Sequence, residues 1–428
     1  MALAGYTPVN RIIVKIWGQE VGRLALDPNT GYYAFAYARE FCETGIELSP
    51  IQAPAEFGKV YVFPDLAMHT YHRLPAFLAD ALPDRFGNAL VNRYMADHGV
   101  PAEAITPLDR LAYQGSRAMG ALTFEPDARP FAQYSSAIEL AQLVSGAREA
   151  LTGNFADNHE AREALHRLIE VGTSAGGARA KAVIAMHPVT KEIRSGQMDT
   201  PAGFEHWLLK FDGIHDNELE MSQGYGRIEY AYYLMAIAAG INMMESQLLE
   251  ENGRAHFMTR RFDRNAETRN HIQTLCAMAH LDFNVRETNS YGQLFACIKR
   301  LNLPYKDLEE AFRRMVFNVM AKNCDDHTKN ISFILPQQHA WRLAPAYDIS
   351  FAYNPHGEWT YQHLMAVNGK FKEITPADML AEAQRYGIGT AKNVIEEVHN
   401  AVGRWQEAAE IAGVSESQYQ HIAALLLT

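Results

Sequence analysis

Four cysteines in 428 residues (Cys42, Cys276, Cys297 and Cys324) make no CxxC pair, which argues against a zinc knuckle and against a disulfide-stapled scaffold. Basic residues are also short: Lys and Arg total 39 against 50 Asp and Glu, a formal charge of −11. A chain of that sign has no global basic field with which to hold nucleic acid by charge alone. No apolar run reaches the roughly 18 residues that a membrane-spanning helix needs, and residues 1–5 lack a basic n-region. A soluble, reduced, cytoplasmic protein with no membrane partner is expected. GxxxxGK[ST] and HExxH are both missing, so neither a Walker loop nor a zincin helix is on offer.

Apolar residues, by contrast, make up 48% of the chain and charged residues 21%, enough for real cores and too much for wholesale disorder. At roughly 100–200 residues per domain, two or three domains are expected. The opening alternates with period two. Ile12, Val14 and Ile16 share a face, Val21, Leu24 and Leu26 continue it, and the aromatic run 32–37 makes a third strand. Residues 74–98 predict a helix stopped by Gly99 and Pro101. A second β-rich zone covers about 105–125, and Pro126 and Pro130 mark a linker. Helices are predicted at 139–151, 160–169 and 228–239, with strands at 183–186, 207–211 and 255–262. Beyond about 268 helices dominate. There Thr375-Pro376-Ala377-Asp378 reads as N-cap, N1 proline and acidic first turn, while Val394, Val398, Ala401 and Trp405 form one helical stripe.

The most informative string is Asn323-Cys324-Asp325-Asp326-His327-Thr328-Lys329-Asn330. Asp325 and Asn330 have the D-x-x-x-x-N spacing of a kinase catalytic loop, in which the Asp deprotonates or orients the acceptor hydroxyl and the Asn holds magnesium. Tyr347-Asp348 follows a short strand, and Asp348 fits the second role, a carboxylate on the metal that bridges ATP phosphates. The plain alternative is a solvated turn after the helix at 312–320. A second string, Gly172 to Lys181, is rich in small residues that let backbone N–H groups approach phosphate, or that form a mobile hairpin tip. Lys210 ends an apolar strand and Glu229 opens the next helix, as a phosphate-neutralising lysine and its aligning glutamate would. Acids are common in first helical turns anyway. His280 and Asp282 with Asp325, Asp326 and His327 could instead be metal ligands of a hydrolase.

In order along the chain, S-x-G-G-A-x-x-K (174–181), Lys210, R-F-D-R (261–264), D-x-H-x-K-N (325–330) and Y-D-I (347–349) resemble the HipA family of bacterial serine/threonine kinases, the toxins of type II toxin–antitoxin pairs. The resemblance spans roughly residues 10–385 and includes Val21-Gly22-Arg23-Leu24 in the opening hairpin. It implies an α+β, protein-kinase-like two-lobed fold. Residues 1–125 would be a β-rich subdomain, 126–264 a kinase N-lobe with the phosphate loop, and 265–428 an all-α C-lobe, the lobes clasping ATP and Mg²⁺. Carried over by motif, Asp325 is the catalytic base and Asn330 and Asp348 hold the metal. Gly176, Gly177, Ala178, Arg179, Lys181 and Lys210 handle phosphates, and Arg260 to Phe262 face the adenine. His327, Lys329 and Tyr347 complete the nucleotide contacts, and Ser174 is the residue whose autophosphorylation switches the kinase off. Arg260 stands where an acid is frequent. Asp326 stands where glycine is frequent and would put an extra carboxylate beside the metal. The implied partners are a HipB-like helix-turn-helix antitoxin, which brings DNA only indirectly, and a protein substrate with an aminoacyl-tRNA synthetase as precedent. A small-molecule kinase of aminoglycoside or choline type and a catalytically idle co-repressor partner are the alternatives.

Overall fold

The computed structural model describes residues 7–97, 99–127, 140, 143–144, 180–197, 200–213, 224–265 and 268–427. The helices expected at 139–151 and 160–169 fall almost wholly outside these residues, and the glycine-rich string up to Arg179 falls wholly outside. The chain divides into two units, Met1–Ser222 with Glu250–Ile272 and Gln223–Leu249 with Gln273–Thr428.

Alternation builds the first sheet of the first unit. Strands β1 (Arg11–Ile16), β2 (Gln19–Leu26), β3 (Tyr33–Tyr37), β4 (Val60–Tyr61) and β5 (Leu122–Glu125) lie in the order β4-β3-β2-β1-β5, all neighbours antiparallel. Ile12, Leu24 and Phe35 stand in one cross-strand row and are fully buried. The rhythm breaks in β2, where the register slips opposite Val14 and Lys15. The extra residue of this bulge lets Val21 and Leu24, three apart, both turn inward. Leu26, expected inside, is 45% exposed at the strand's end. Gly22 sits at the bulge because a Cβ there would lie 2.2 Å from the Ala36 carbonyl oxygen.

The second sheet holds β6 (Lys181–Met186), β7 (Ile193–Ser195), β8 (Glu205–Lys210), β9 (Ser246–Glu251) and β10 (Arg254–Arg260), in the order β7-β6-β8-β10-β9. β6 reads KAVIAM and is buried along its whole length, the pattern of a central strand covered on both faces. Before it, the helix expected at 74–98 is two, Ala76–Ala79 and Arg85–Asp97. Pro83 lies between them, with no N–H to give and a restricting effect on the residue before it. Asp84 restarts the helix by accepting the Gly87 N–H at 2.6 Å.

Helices dominate the second unit. Tyr305–Met320 is its core, burying Leu308, Ala311, Phe312, Met315, Val316 and Phe317. Tyr232, on the helix Tyr225–Ala238, sets its ring against Phe317 and Trp405, at 6.3 and 5.7 Å between centroids. The start at Thr375 is as its sequence predicts: Thr375 caps the Asp378 N–H, Asp378 returns the bond, and Pro376 opens the helix Pro376–Tyr386. The stripe of Val394, Val398, Ala401 and Trp405 is buried but belongs to two helices, Ala391–Val402 and Trp405–Ala412. Gly403 and Arg404 make a break short enough to keep the phase. Small sheets fall among the helices, one built from His271–Thr274, Ser332–Leu335 and Arg342–Leu343 in that order. Among the described residues no helix is long and apolar enough to cross a membrane.

Candidate active site

The helix Tyr305–Met320 delivers the chain into the polar loop 323–330 through Lys322, whose φ of 54° turns the backbone sharply. The loop closes as a short 3-10 turn, Thr328–Asn330. Thr328 is fully buried and its hydroxyl donates to the Leu281 carbonyl at 2.7 Å. The Asn330 backbone N–H donates to the His327 carbonyl, and its side-chain Nδ2 to the Asp325 carbonyl, both at 2.9 Å. With Nδ2 so committed, the amide oxygen of Asn330 is turned the other way as an acceptor. Asp325 keeps its side chain 49% exposed, with His327 Nε2 3.8 Å from Oδ1. One turn therefore brings Asp325, His327 and Asn330 together.

Tyr347 hooks the following segment onto this loop by donating to the Lys329 carbonyl at 2.8 Å and taking a short hydrogen bond from Ser332. Lys329 lies 5.2 Å over the Phe283 ring. Asp348 has φ 53°, a left-handed conformation that aspartate accepts more readily than most residues other than glycine. Asn330, Tyr347 and Asp348 line one cavity of about 20 Å³ with Asn323 and Asp326.

Asp326, expected as an extra carboxylate for the metal, has its oxygens taken. It is fully buried; Oδ2 accepts from the Tyr291 hydroxyl at 2.8 Å and pairs with His363 Nδ1 at 3.0 Å, and Oδ1 accepts the Leu364 N–H at 2.7 Å. Burial alone would lower the His363 pKa, but the Asp326 charge and hydrogen bond overcome it and push the imidazole up to about 10. The upward shift favours the charged imidazole in this contact.

In the first unit, Lys181 begins β6, Lys210 ends β8, and the two are direct cross-strand partners. Both are buried, at 2% and 7% exposure. Directly opposed like charges repel, and a carboxylate comes to meet them. The Asp84 carboxylate approaches Lys181 Nζ at 3.5 Å, and Lys210 Nζ lies 5.7 Å over the Phe257 ring. Glu229, buried on the helix Tyr225–Ala238, belongs to the other unit. Arg260 ends β10 and pairs with Glu205 at 3.3 Å, and the Phe262 carbonyl accepts from Asn270 Nδ2. The R-F-D-R string closes on itself. Asp263 is clamped by Arg261 at 2.8 and 2.7 Å and by Arg264 at 2.7 Å, and also accepts the Gly120 N–H at 2.8 Å. Burial pushes its carboxyl up, but Arg261 and Arg264 hold it well below the usual carboxylate range.

Ser174, Gly176, Gly177, Ala178 and Arg179 lie outside the described residues. Sequence reasoning passed over Gln273, a single amide in a mixed strand with no motif to flag it. It is 1% exposed, and neither end of its amide has a hydrogen-bond partner among the described residues, a state that calls for an explanation. Among the described residues no three His, Cys, Asp or Glu side chains gather as a metal group; the hydrolase reading of His280 and Asp282 would need one. Asn330 and Asp348 offer oxygen donors alone. That set suits magnesium, which takes one or two carboxylates and fills its other positions with water and phosphate.

Residues 173–405 match the HipA-like C-terminal domain and residues 12–125 the HipA N-terminal domain. Gly172-Thr173-Ser174-Ala175-Gly176 also spells G-x-S-x-G, the serine-hydrolase elbow, but all of it except Gly172 falls within the first of these matches. Y4dM of Sinorhizobium fredii, which carries a kinase description, is 28% identical over 159 residues, 33% of this chain and 36% of that protein. The chain thus spans little more than a third of that relative. HipA from the Shewanella oneidensis complex of HipA, HipB and operator DNA superposes with a TM-score of 0.70 at 18% identity, over 97% of this chain and 96% of that one. At that identity the likeness is one of fold. The fold in common is α+β.

Proposed function

The chain belongs to the HipA family, and on that premise we propose that it is the serine/threonine-kinase toxin of a toxin–antitoxin pair. It moves the γ-phosphoryl group of ATP to a hydroxyl on a protein. The observation that carries this reading is the turn in which Asn330 grips the Asp325 carbonyl while lining one cavity with Asp348.

Each residue then has a task. The half-exposed Asp325 carboxylate takes the proton of the acceptor hydroxyl as that oxygen bonds to the γ-phosphorus and the bond to the β–γ bridging oxygen breaks, releasing ADP. Asn330 and Asp348 would hold magnesium, which supplies charge neutralisation along the phosphates when bound. Lys181 and Lys210 neutralise phosphate oxygens, with the backbone of Gly176, Gly177, Ala178 and Arg179 as further donors. His327, Lys329 and Tyr347 keep the loop in place, and Arg260 to Phe262 face the adenine.

Ser174 is the proposed site of self-inactivation. Phosphate there adds about −1.5 to −2 charges to the segment that must receive ATP. A small helix-turn-helix antitoxin is the partner, DNA is reached through it, and a translation enzyme such as an aminoacyl-tRNA synthetase is the substrate in the cytoplasm. Incubation with γ-labelled ATP and Mg²⁺, followed by peptide mapping of the chain and of a lysate, tests this. Label on Ser174 and on a lysate protein is expected. No label anywhere removes the kinase reading; label on this chain only at other positions removes the Ser174 switch.

A further inference from the structure

We propose that Asp326 is a positioning residue: its buried ion pair with His363 holds the Asp325 backbone in the geometry that phosphoryl transfer needs. The inference rests on the kinase reading of Asp325 and adds a residue that the reading leaves without a task. Asp325 is half-exposed and its carboxylate is the working end, so something other than packing has to set where that carboxylate points. The loop is bolted at several places. Thr328 fastens it to the Leu281 carbonyl, Asn330 fastens it to itself, and Asp326 fastens it to the segment 362–364. Asn330 takes the carbonyl of Asp325 itself, the Cys324 N–H reaches the Ala352 carbonyl at 3.0 Å on one side of it, and Asp326 anchors the other side.

That bolt is also the strongest chemically. Asp326 accepts three hydrogen bonds from Tyr291, His363 and Leu364 at 0% side-chain exposure, and two of the donors are fixed in turn. The Tyr291 hydroxyl accepts from Asn318 Nδ2 at 2.9 Å, and Asn318 Oδ1 accepts from Asn323 Nδ2 at 3.0 Å, inside the same loop. His363 Nε2 lies 3.8 Å from the sulfur of Cys324. The network therefore leaves the loop at Asp326 and returns to it at Asn323 and Cys324, enclosing the backbone that carries Asp325. Successive residues of an extended loop face opposite ways, which is why Asp325 can look outward while Asp326 is buried. A carboxylate that accepts three bonds inside this ring is held by them, and it acts through its neighbour.

The test compares the unaltered chain with Asp326→Asn, His363→Gln and the double variant Asp326→Asn/His363→Gln. Asp326→Asn leaves a charged imidazole buried without its counter-ion, whereas the double variant replaces the pair by two neutral groups that can still bond each other. For Asp326→Asn we expect kcat to fall by about 10–100-fold, the range for an outer group that orients a working one. Binding of Mg·ATP should stay within about twofold, and the double variant should recover most of kcat. Hydrogen exchange of amides 324–330 should quicken in Asp326→Asn and slow again in the double variant. An unchanged kcat in the folded Asp326→Asn chain overturns the proposal, as does metal-dependent loss of ATP binding, which would make Asp326 a ligand. Should the unaltered chain transfer no phosphate, the kinase reading falls on its own. Exchange then decides the rest, and unchanged protection of 324–330 in Asp326→Asn overturns the positioning role.

Discussion

Replacing Asp263 by asparagine removes one charge and almost no volume, and it should be among the most damaging substitutions in the first unit. The carboxylate is 1% exposed between Arg261, at 1%, and Arg264, at 11%. It accepts four hydrogen bonds, three from guanidinium groups and one from the Gly120 N–H. Asparagine can satisfy some of these bonds but leaves two buried cations without a counter-charge. Breaking a buried pair from one side costs about 3–5 kcal/mol. At about 2–4 °C per kcal/mol for a body of this size, the melting temperature should drop by roughly 10 °C. Thermal and urea unfolding followed by circular dichroism measure it, with Arg260→Ala as the control. Arg260 meets Glu205 with its side chain 42% exposed, and an exposed pair of that kind is worth less than about 1 kcal/mol. The direction with pH follows from the depressed carboxyl. Its contribution is complete above the unfolded carboxyl pKa of about 3.9 and is lost as pH falls below it. If Asp263→Asn melts within about 2 °C of the parent while Arg260→Ala does the same, the knot carries no net stability and the reasoning fails.

Asp325→Asn should lower phosphoryl transfer by about 10²–10⁴-fold with unchanged thermal melting, because its side chain is half-exposed; full activity in that variant would hand the base role to another group. Asp348→Gly deletes the carboxylate while glycine takes φ 53° freely. Calorimetry should show Mg·ATP binding weakened far more than metal-free ATP, and equal losses would make Asp348 structural. His363, raised to about 10 by Asp326 against the pull of burial, contributes stability that is whole below its unfolded pKa of about 6.5 and fades as pH climbs through about 10. Urea midpoints from pH 7 to 10.5 should therefore fall for the parent and stay flatter for the double variant Asp326→Asn/His363→Gln.

The chain wrote its opening sheet and its loop motif plainly, because period-two burial and a short local spacing are both visible in one dimension. Where the reading slipped, the cause was non-local or too small to disturb a period. A one-residue bulge at Val21 and Gly22 changes which face is buried without changing composition. The pair Gly403-Arg404 ends one helix and keeps the next in phase, so Trp405 reads as the same stripe. Asp326, expected as an extra carboxylate beside the metal, has its oxygens engaged instead by His363 and Leu364, some 37 and 38 residues downstream. In R-F-D-R the charged side chains satisfy one another, a closure that the string alone does not announce.

Should the proposed nucleotide place a phosphate against the facing lysines at the end of β6 and β8, it would take part in folding as well as in chemistry. The two ammonium groups are buried on neighbouring strands with the Asp84 carboxylate 3.5 Å from Lys181, and further anionic oxygens would add to that pairing. Any compound that does so binds the folded chain and not the unfolded one, so it raises the free energy of unfolding by RT ln(1 + [L]/Kd). At a hundred times Kd that is about 2.7 kcal/mol. The lifetime of this protein in a cell with proteases would then follow its energy charge: ample nucleotide would protect the folded chain, and starvation would withdraw that protection.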